Sequence, residues 1–336
     1  MSEARKFLDV HAHHYPLAYL NACKDPGSGL EHYYRPDGRL VVLQDGAVSL
    51  AAPQPLPSVE QRLEAMDAAR VQVQLLSLSA PNLYRLPKSV RAGLAITVND
   101  EFVTMAKSSN GRLKVMASLP LPDLDAALRE LDRVLSLDEV VGVFLCTTID
   151  RTPLDDARFE PVLRELSDRG CLVFVHPTTP CCTDGVREYA MALALDYMAE
   201  VTNAIGRLAY SGTFSKHPGI RWIFSHLGGS TPFVIHRFDN YFHQFPECRA
   251  HETRPPSELL KSVFFDTVTT HVPALRCALD TFGPRQLLFG TDYPHVPGGL
   301  GRFVATVESA GLDESELEMI AWSNAAGLVG IGSAAP

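Results

Sequence analysis

Short apolar runs suited to β-strands alternate along this chain with segments of helical period, and the alternation recurs eight times. The runs are Phe7 to His13, Val71 to Ser79, Leu113 to Leu119, Val140 to Cys146, Cys171 to Val175, Ile220 to Phe224, Val263 to Val268 and Gln286 to Phe289. Most are continuously apolar, the pattern of parallel strands covered on both faces. Helical stretches at 58–70, 90–107, 123–135, 159–169, 188–214, 231–245 and 273–282 separate them, and 301–310 and 314–328 close the chain. Ser58 with Gln61 reads as a capping box, Asp123 as an N-cap and Gly170 as a stop. Eight such units predict one (β/α)8 barrel, an α/β TIM barrel, spanning residues 1–336.

The stretch 14–57 departs from this rhythm. It carries two turn signals, Pro36-Asp37-Gly38 and Gln44-Asp45-Gly46, flanked by apolar runs at 39–43 and 47–50. That predicts a small antiparallel hairpin or meander, inserted after the first strand and covering the barrel mouth. The last residues, Gly332 to Pro336, read as a frayed tail.

Composition removes several function classes. The formal net charge of −9 argues against a nucleic-acid backbone binder, which needs clustered Lys and Arg. No apolar run reaches membrane-spanning length, and Arg5-Lys6 leads straight into the first strand without a signal-peptide layout. The seven cysteines are odd in number and form no Cys-x-x-Cys pair, so they read as reduced thiols of a cytoplasmic protein. Cys181-Cys182 reads as packed or loop thiols in preference to a soft-metal or redox site.

Barrel chemistry sits at the C-terminal strand ends. Strand one ends in His11-Ala12-His13, whose imidazoles lie two apart and face the same side. Strand five ends in His176, strand six in Ser225-His226 and strand eight in Gly290-Thr291-Asp292. A lone histidine at a strand end is an ordinary hydrogen-bonded residue. Convergence at strands one, five, six and eight is a different matter, because neutral imidazole plus carboxylate is the ligand set of Zn²⁺ or a similar ion. Ser77, Ser79, Asn82, Tyr84, Asp266, His271 and His295 read as loop or supporting residues, and His14, His32, His217, His236, His243 and His251 as surface or structural histidines.

This order of strand-end residues resembles the amidohydrolase superfamily. Asp9-Val-His-Ala-His13, Glu64-Ala-Met-Asp67, Phe174-Val-His-Pro177, Phe224-Ser-His-Leu-Gly-Gly229 and Gly290-Thr-Asp-Tyr-Pro294 are similar to its branch named for aminocarboxymuconate semialdehyde decarboxylase, over residues 7–331. The resemblance implies one divalent metal, zinc or else manganese, on His11, His13, His176 and Asp292, with His226 as an unligated acid/base assisted by Asp292. Strand four ends in Cys146-Thr147-Thr148 without the lysine that bridges two ions in other members. Arg237 matches an arginine that binds a substrate carboxylate from a neighbouring subunit, which implies a homodimer. On charge pattern alone, Arg237 reads equally well as a salt-bridge partner of Asp239. The branch's second carboxylate-binding arginine is missing from Ala47 to Pro53, which favours a monocarboxylate of the ortho-hydroxybenzoate type. The implied reaction is non-oxidative decarboxylation of a small aromatic or unsaturated carboxylic acid. The alternative is hydrolysis or hydration of a lactone, amide or unsaturated acid by the same centre. A non-catalytic metal protein is disfavoured, because no ligand or acid/base is missing.

Overall fold

All eight apolar runs become parallel strands of one sheet, in chain order. They are β1 (Phe7–His13), β2 (Val71–Ser77), β3 (Leu113–Ser118), β4 (Val140–Cys146), β5 (Leu172–His176), β6 (Arg221–Phe224), β7 (Phe264–Asp266) and β8 (Leu287–Leu288). The computed structural model describes residues 5–52, 55–295 and 299–331. Pro53, Gln54 and the segment 332–336 assigned above to the frayed tail lie outside those residues. The two ends of the sheet meet. Val10 N donates to Phe289 O (2.9 Å), Asp292 N to His11 O (2.8 Å) and His13 N to Tyr293 O (2.7 Å). The barrel therefore closes between the first and last strands, at the level of the HxH motif.

Packing explains why the strands lie so close. A Cβ on Gly142 of β4 would come within 2.4 Å of the Leu172 carbonyl of β5. Phe144, Phe174, Phe224 and Phe265 are fully buried. Truncating any one to alanine would cost roughly 3–5 kcal/mol. Both predicted caps are present: Ser58 and Gln61 form a reciprocal capping box, and Asp123 accepts from Ala126 N.

The structure corrects three local expectations. β2 stops at Ser77 because Asn82 folds the chain back, donating to Leu78 O at 2.7 Å. The helical region predicted over 188–214 begins as a π turn at Ala192–Asp196, continues as the helix Tyr197–Tyr210 and breaks at Gly212. Gly212 has φ +73°, and a Cβ there would meet His251 O at 2.5 Å. The last helix is interrupted by a π turn at Met319–Ser323, whose Ile320 carbonyl accepts from Phe289 N (3.0 Å) beside β8. The stretch after β1 holds a helix, Leu17–Lys24, and three antiparallel strands, Glu31–Tyr34, Leu40–Gln44 and Ala47–Ala52. The outer strand carries no apolar alternation and is exposed throughout, so its pattern is invisible in sequence.

This small sheet is pinned by its turn. Asp45 pairs with Arg151 (2.5 Å) and Arg85 (3.3 Å), and its carbonyl accepts from Thr183 Oγ1 (3.0 Å). Those partners lie on loops that follow β2, β4 and β5. The sheet is thereby held over the C-terminal strand ends.

Candidate metal centre

His11, His13, His176 and Asp292 converge so that their ligand atoms all lie within 4.8 Å of one another. The three histidines are essentially buried. Each has its Nδ1 occupied. His11 Nδ1 donates to Asp266 Oδ2 (2.6 Å), and His176 Nδ1 to Pro177 O (2.7 Å). Ser77 Oγ donates to Ala12 O (3.2 Å), so its lone pair takes His13 Nδ1 at 3.0 Å. With Nδ1 tied, each Nε2 is left to face the common centre, the arrangement that orients metal-ligating histidines.

The spacing fits a small divalent ion. His11 Nε2 and His13 Nε2 are 2.9 Å apart, and Asp292 Oδ1 lies 3.3 and 3.2 Å from them. A tetrahedron with ligands at about 2.1 Å has edges of roughly 3.4 Å. Asp292 Oδ1 is buried without a hydrogen-bond partner, which a cation would satisfy. The donor set is imidazole and carboxylate with no thiolate, which suits zinc or manganese.

Charge is divided unequally in this cluster. Burial opposes a charged His11, but the Asp292 and Asp266 carboxylates outweigh it and raise the imidazole to about 10. Burial pushes its neighbour His13 down to about 3. Two imidazoles in contact carry one positive charge, and His11 takes it because two carboxylates flank it. Burial also lowers His176, and beside it His13 disfavours a second charge. For Asp292 burial alone would raise the carboxyl, yet His11 and His13 hold it well below the usual range.

His226 stands beside this cluster and outside it. Its ring centre is 5.0 Å from that of His11 and 5.4 Å from that of His176. Its Nε2 is buried and unpartnered. Burial, then the neighbouring His11, keeps its pKa below the ordinary value. The loop that presents it is strained: His226 and Leu227 have φ of +52° and +58°, followed by two left-handed glycines. Asp266 reaches both sides, accepting from Leu227 N at 3.4 Å while it holds His11. A Cβ on Gly229 would lie 2.2 Å from Met198 O. Gly229→Ala is therefore expected to destabilise the fold by about 1–3 kcal/mol and to lower kcat by displacing His226, read by thermal unfolding and steady-state kinetics.

A cavity of about 680 Å³ opens onto these groups. His176, His226, Asp292 and His295 line it from the barrel, and Ser49 to Ala51 from the small sheet. Several functional positions escape sequence reasoning. Arg35 and Arg39 reach the cavity rim from the turn joining the first two strands of the small sheet. Ser49 Oγ is buried without a partner. Tyr15 OH bonds His295 Nε2 at 2.6 Å. The Arg35-Pro-Asp-Gly-Arg39 turn was visible, but the direction of its arginines depends on how the sheet docks. Ser77 and Asp266 hold ligand rings, while Arg237 lies exposed on the helix Thr231–Gln244, stacked on Tyr241 (5.1 Å) and bonded to its hydroxyl (2.9 Å). Asp239 instead accepts from Ser257 N (3.0 Å). Cys181 and Cys182 are exposed loop thiols.

With this geometry in place, comparison with known proteins decides the family. A family model described as Amidohydrolase matches residues 8–331. The chain belongs to the amidohydrolase family. This amidohydrolase is 29% identical over 313 residues to 6-methylsalicylic acid decarboxylase of Penicillium expansum, covering 91% of each chain. It is 24% identical over 333 residues to 2-amino-3-carboxymuconate-6-semialdehyde decarboxylase of Dictyostelium discoideum, covering 96% of this chain and 91% of that one. Among solved structures, Metarhizium anisopliae IDCase in its apo form superposes with a TM-score of 0.86 at 25% identity, covering 97% of both chains. A dihydroxybenzoic acid decarboxylase from Polaromonas, solved with bound manganese and 2-nitroresorcinol, shares the fold at a TM-score of 0.75 and 22% identity, covering 83% of this chain and 88% of that one.

Proposed function

We propose that this amidohydrolase is a metal-dependent, non-oxidative decarboxylase of an aromatic or unsaturated carboxylic acid. One observation carries the reading. A buried imidazole with a free Nε2, His226, shares a cavity with a metal-type cluster whose own imidazoles are all tied at Nδ1. The decarboxylase relatives supply the reaction class.

A divalent ion held by His11, His13, His176 and Asp292 supplies a Lewis acid for a substrate oxygen. His226 handles the proton. Burial and the nearby His11 favour its neutral form, so it can accept a proton from solvent and deliver it to the carbon that bears the carboxylate. As the carbon–carbon bond breaks, its electron pair takes that proton and the carboxylate leaves as CO2. No oxidant or reductant is consumed. The Asp292 carboxylate, whose charge favours a protonated His226, stabilises the imidazolium that forms in passing.

Arg35 and Arg39, the latter paired with Asp37 at 3.5 Å, line the cavity and would meet substrate anions there, supplying the cation that the segment 47–53 lacks. Arg39→Gln is expected to raise KM about tenfold or more with little change in kcat, because a charged hydrogen bond contributes roughly 1.5–3 kcal/mol. Arg237 would act from a second copy in a homodimer, so Arg237→Ala should raise KM only where the protein is dimeric by light scattering. Zinc is the first candidate ion and manganese the second. Seven free thiols suit a reducing, cytoplasmic setting. We take the chain as one barrel domain with residues 14–57 as an insertion over its mouth.

The test is direct. The metal-loaded protein is incubated with 6-methylsalicylate, 2,6-dihydroxybenzoate and aminocarboxymuconate semialdehyde, and CO2 and the decarboxylated product are measured. Absence of CO2 from all three would overturn the reading. Uptake of labelled oxygen from water without CO2 would move it to hydrolysis or hydration.

A further inference from the structure

Behind the metal-type cluster runs a buried polar chain that the reaction does not use. Arg62, Gln74 and Asp9 are all fully buried. Arg62 Nη2 donates to His13 O (2.7 Å) and Nη1 to Gln74 Oε1 (2.6 Å), while its guanidinium lies 4.9 Å over the Tyr293 ring. Gln74 Nε2 passes the contact on to Asp9 Oδ2 at 2.8 Å. Asp9 then accepts from His11 N (3.0 Å), Thr291 N (3.1 Å) and Thr291 Oγ1 (2.6 Å).

The end points of this chain share one property. Its contacts fall on the backbone of His11 and His13 and on Thr291 and Tyr293, the residues either side of Asp292. Two of the four cluster residues are thus held directly, and Asp292 through its two neighbours, by one network that crosses the seam between β1 and β8. Filling space does not explain it. A buried guanidinium is costly to desolvate, and an apolar side chain of similar volume would pack there at lower cost. A positive charge this close to a cation site also repels the ion. What the network supplies is fixed distance: it is hydrogen-bonded from end to end, with only Arg62 Nε left unpartnered.

We propose that Arg62, through His13 O and Gln74, and Gln74, through Asp9, are positioning residues that set the spacing between the His11–His13 pair and Asp292 and thereby the affinity for the metal ion. This rests on reading the cluster as a metal centre. None of the three touches the ion or the substrate. Their influence passes through backbone position, so it falls on ion binding before it reaches turnover.

The experiment measures zinc and manganese dissociation constants by competition with a chelating dye, on the full chain, for wild type, Arg62→Met, Gln74→Leu and the milder Thr291→Val. Metal-free thermal unfolding is recorded beside each. Arg133→Met is the control, because Arg133 bonds Glu130 and Asp100 (2.7–2.8 Å) on the outer helices, away from the centre. Arg62→Met and Gln74→Leu are expected to weaken ion binding by 10- to 100-fold and Thr291→Val by several-fold, the scale for residues that support ligands. Arg133→Met should lower the melting temperature with no change in affinity. Arg62→Lys, which keeps one donor, should recover part of the loss. If the network variants lose only thermal stability, as the control does, the proposal is overturned. If Arg62→Met fails to fold, Gln74→Leu and Thr291→Val decide: unchanged affinity in both overturns it too. A wild type that binds neither ion overturns the metal reading instead, a distinct result.

Discussion

Replacing His226 with asparagine is expected to lower kcat by roughly 10²- to 10⁴-fold while metal content stays at the wild-type level. The expectation follows from place. His226 lies beside the cluster and outside its ligand set, with Nε2 free toward the cavity. Asparagine keeps a polar side chain that stops short of the Nε2 position and cannot carry a proton. Metal analysis and steady-state kinetics on one preparation check it. If metal is lost along with activity, His226 is a ligand and the division of roles argued above fails. The left-handed backbone at His226 makes asparagine the suitable substitute, since it tolerates φ > 0 better than most residues.

The second large effect concerns the ion and pH. Removing the metal with a chelator should abolish turnover, and adding zinc or manganese should restore it. In the metal-free chain His11 is raised to about 10, so it holds a proton at neutral pH. An incoming ion needs the same Nε2 lone pair and must expel that proton. Apparent affinity should therefore rise about tenfold per pH unit across pH 7–9 and level off as pH passes the raised pKa. Calorimetry in buffers of different ionisation enthalpy would count about one proton released per ion at pH 8. The same shift stabilises the metal-free fold fully below the ordinary histidine pKa, and that contribution is lost as pH rises through about 10. A pH-independent affinity would show that His11 is neutral before the ion arrives.

The barrel was legible because its strands are buried on both faces and so read as unbroken apolar runs. The positions of His11, His13, His176, His226 and Asp292 were legible because the fold sends strand ends to one rim. What escaped has a common cause, dependence on contacts distant in sequence. Glu31 to Tyr34 looks like a loop because neither face of that strand is covered. Gly212 breaks a helix because His251 approaches it. Arg62 sits in a helix whose sequence suits a solvated surface, yet it is fully buried against His13 and Gln74. Arg39 lies four residues from Arg35 across an unremarkable turn, and only the docking of the small sheet brings both to the cavity.

The closure between β1 and β8 has a temporal meaning. His11 and His13 leave the ribosome well before Asp292, with 278 residues between His13 and Asp292 supplied in the interval. Two of the four cluster residues wait, while those intervening residues are made, for a partner that does not yet exist. A nascent chain can offer an ion only a partial and weaker chelate, and the full set appears only once the barrel has come round. Metal uptake at this centre thus reports completion of the fold, and a chain halted before its eighth strand would be left without it.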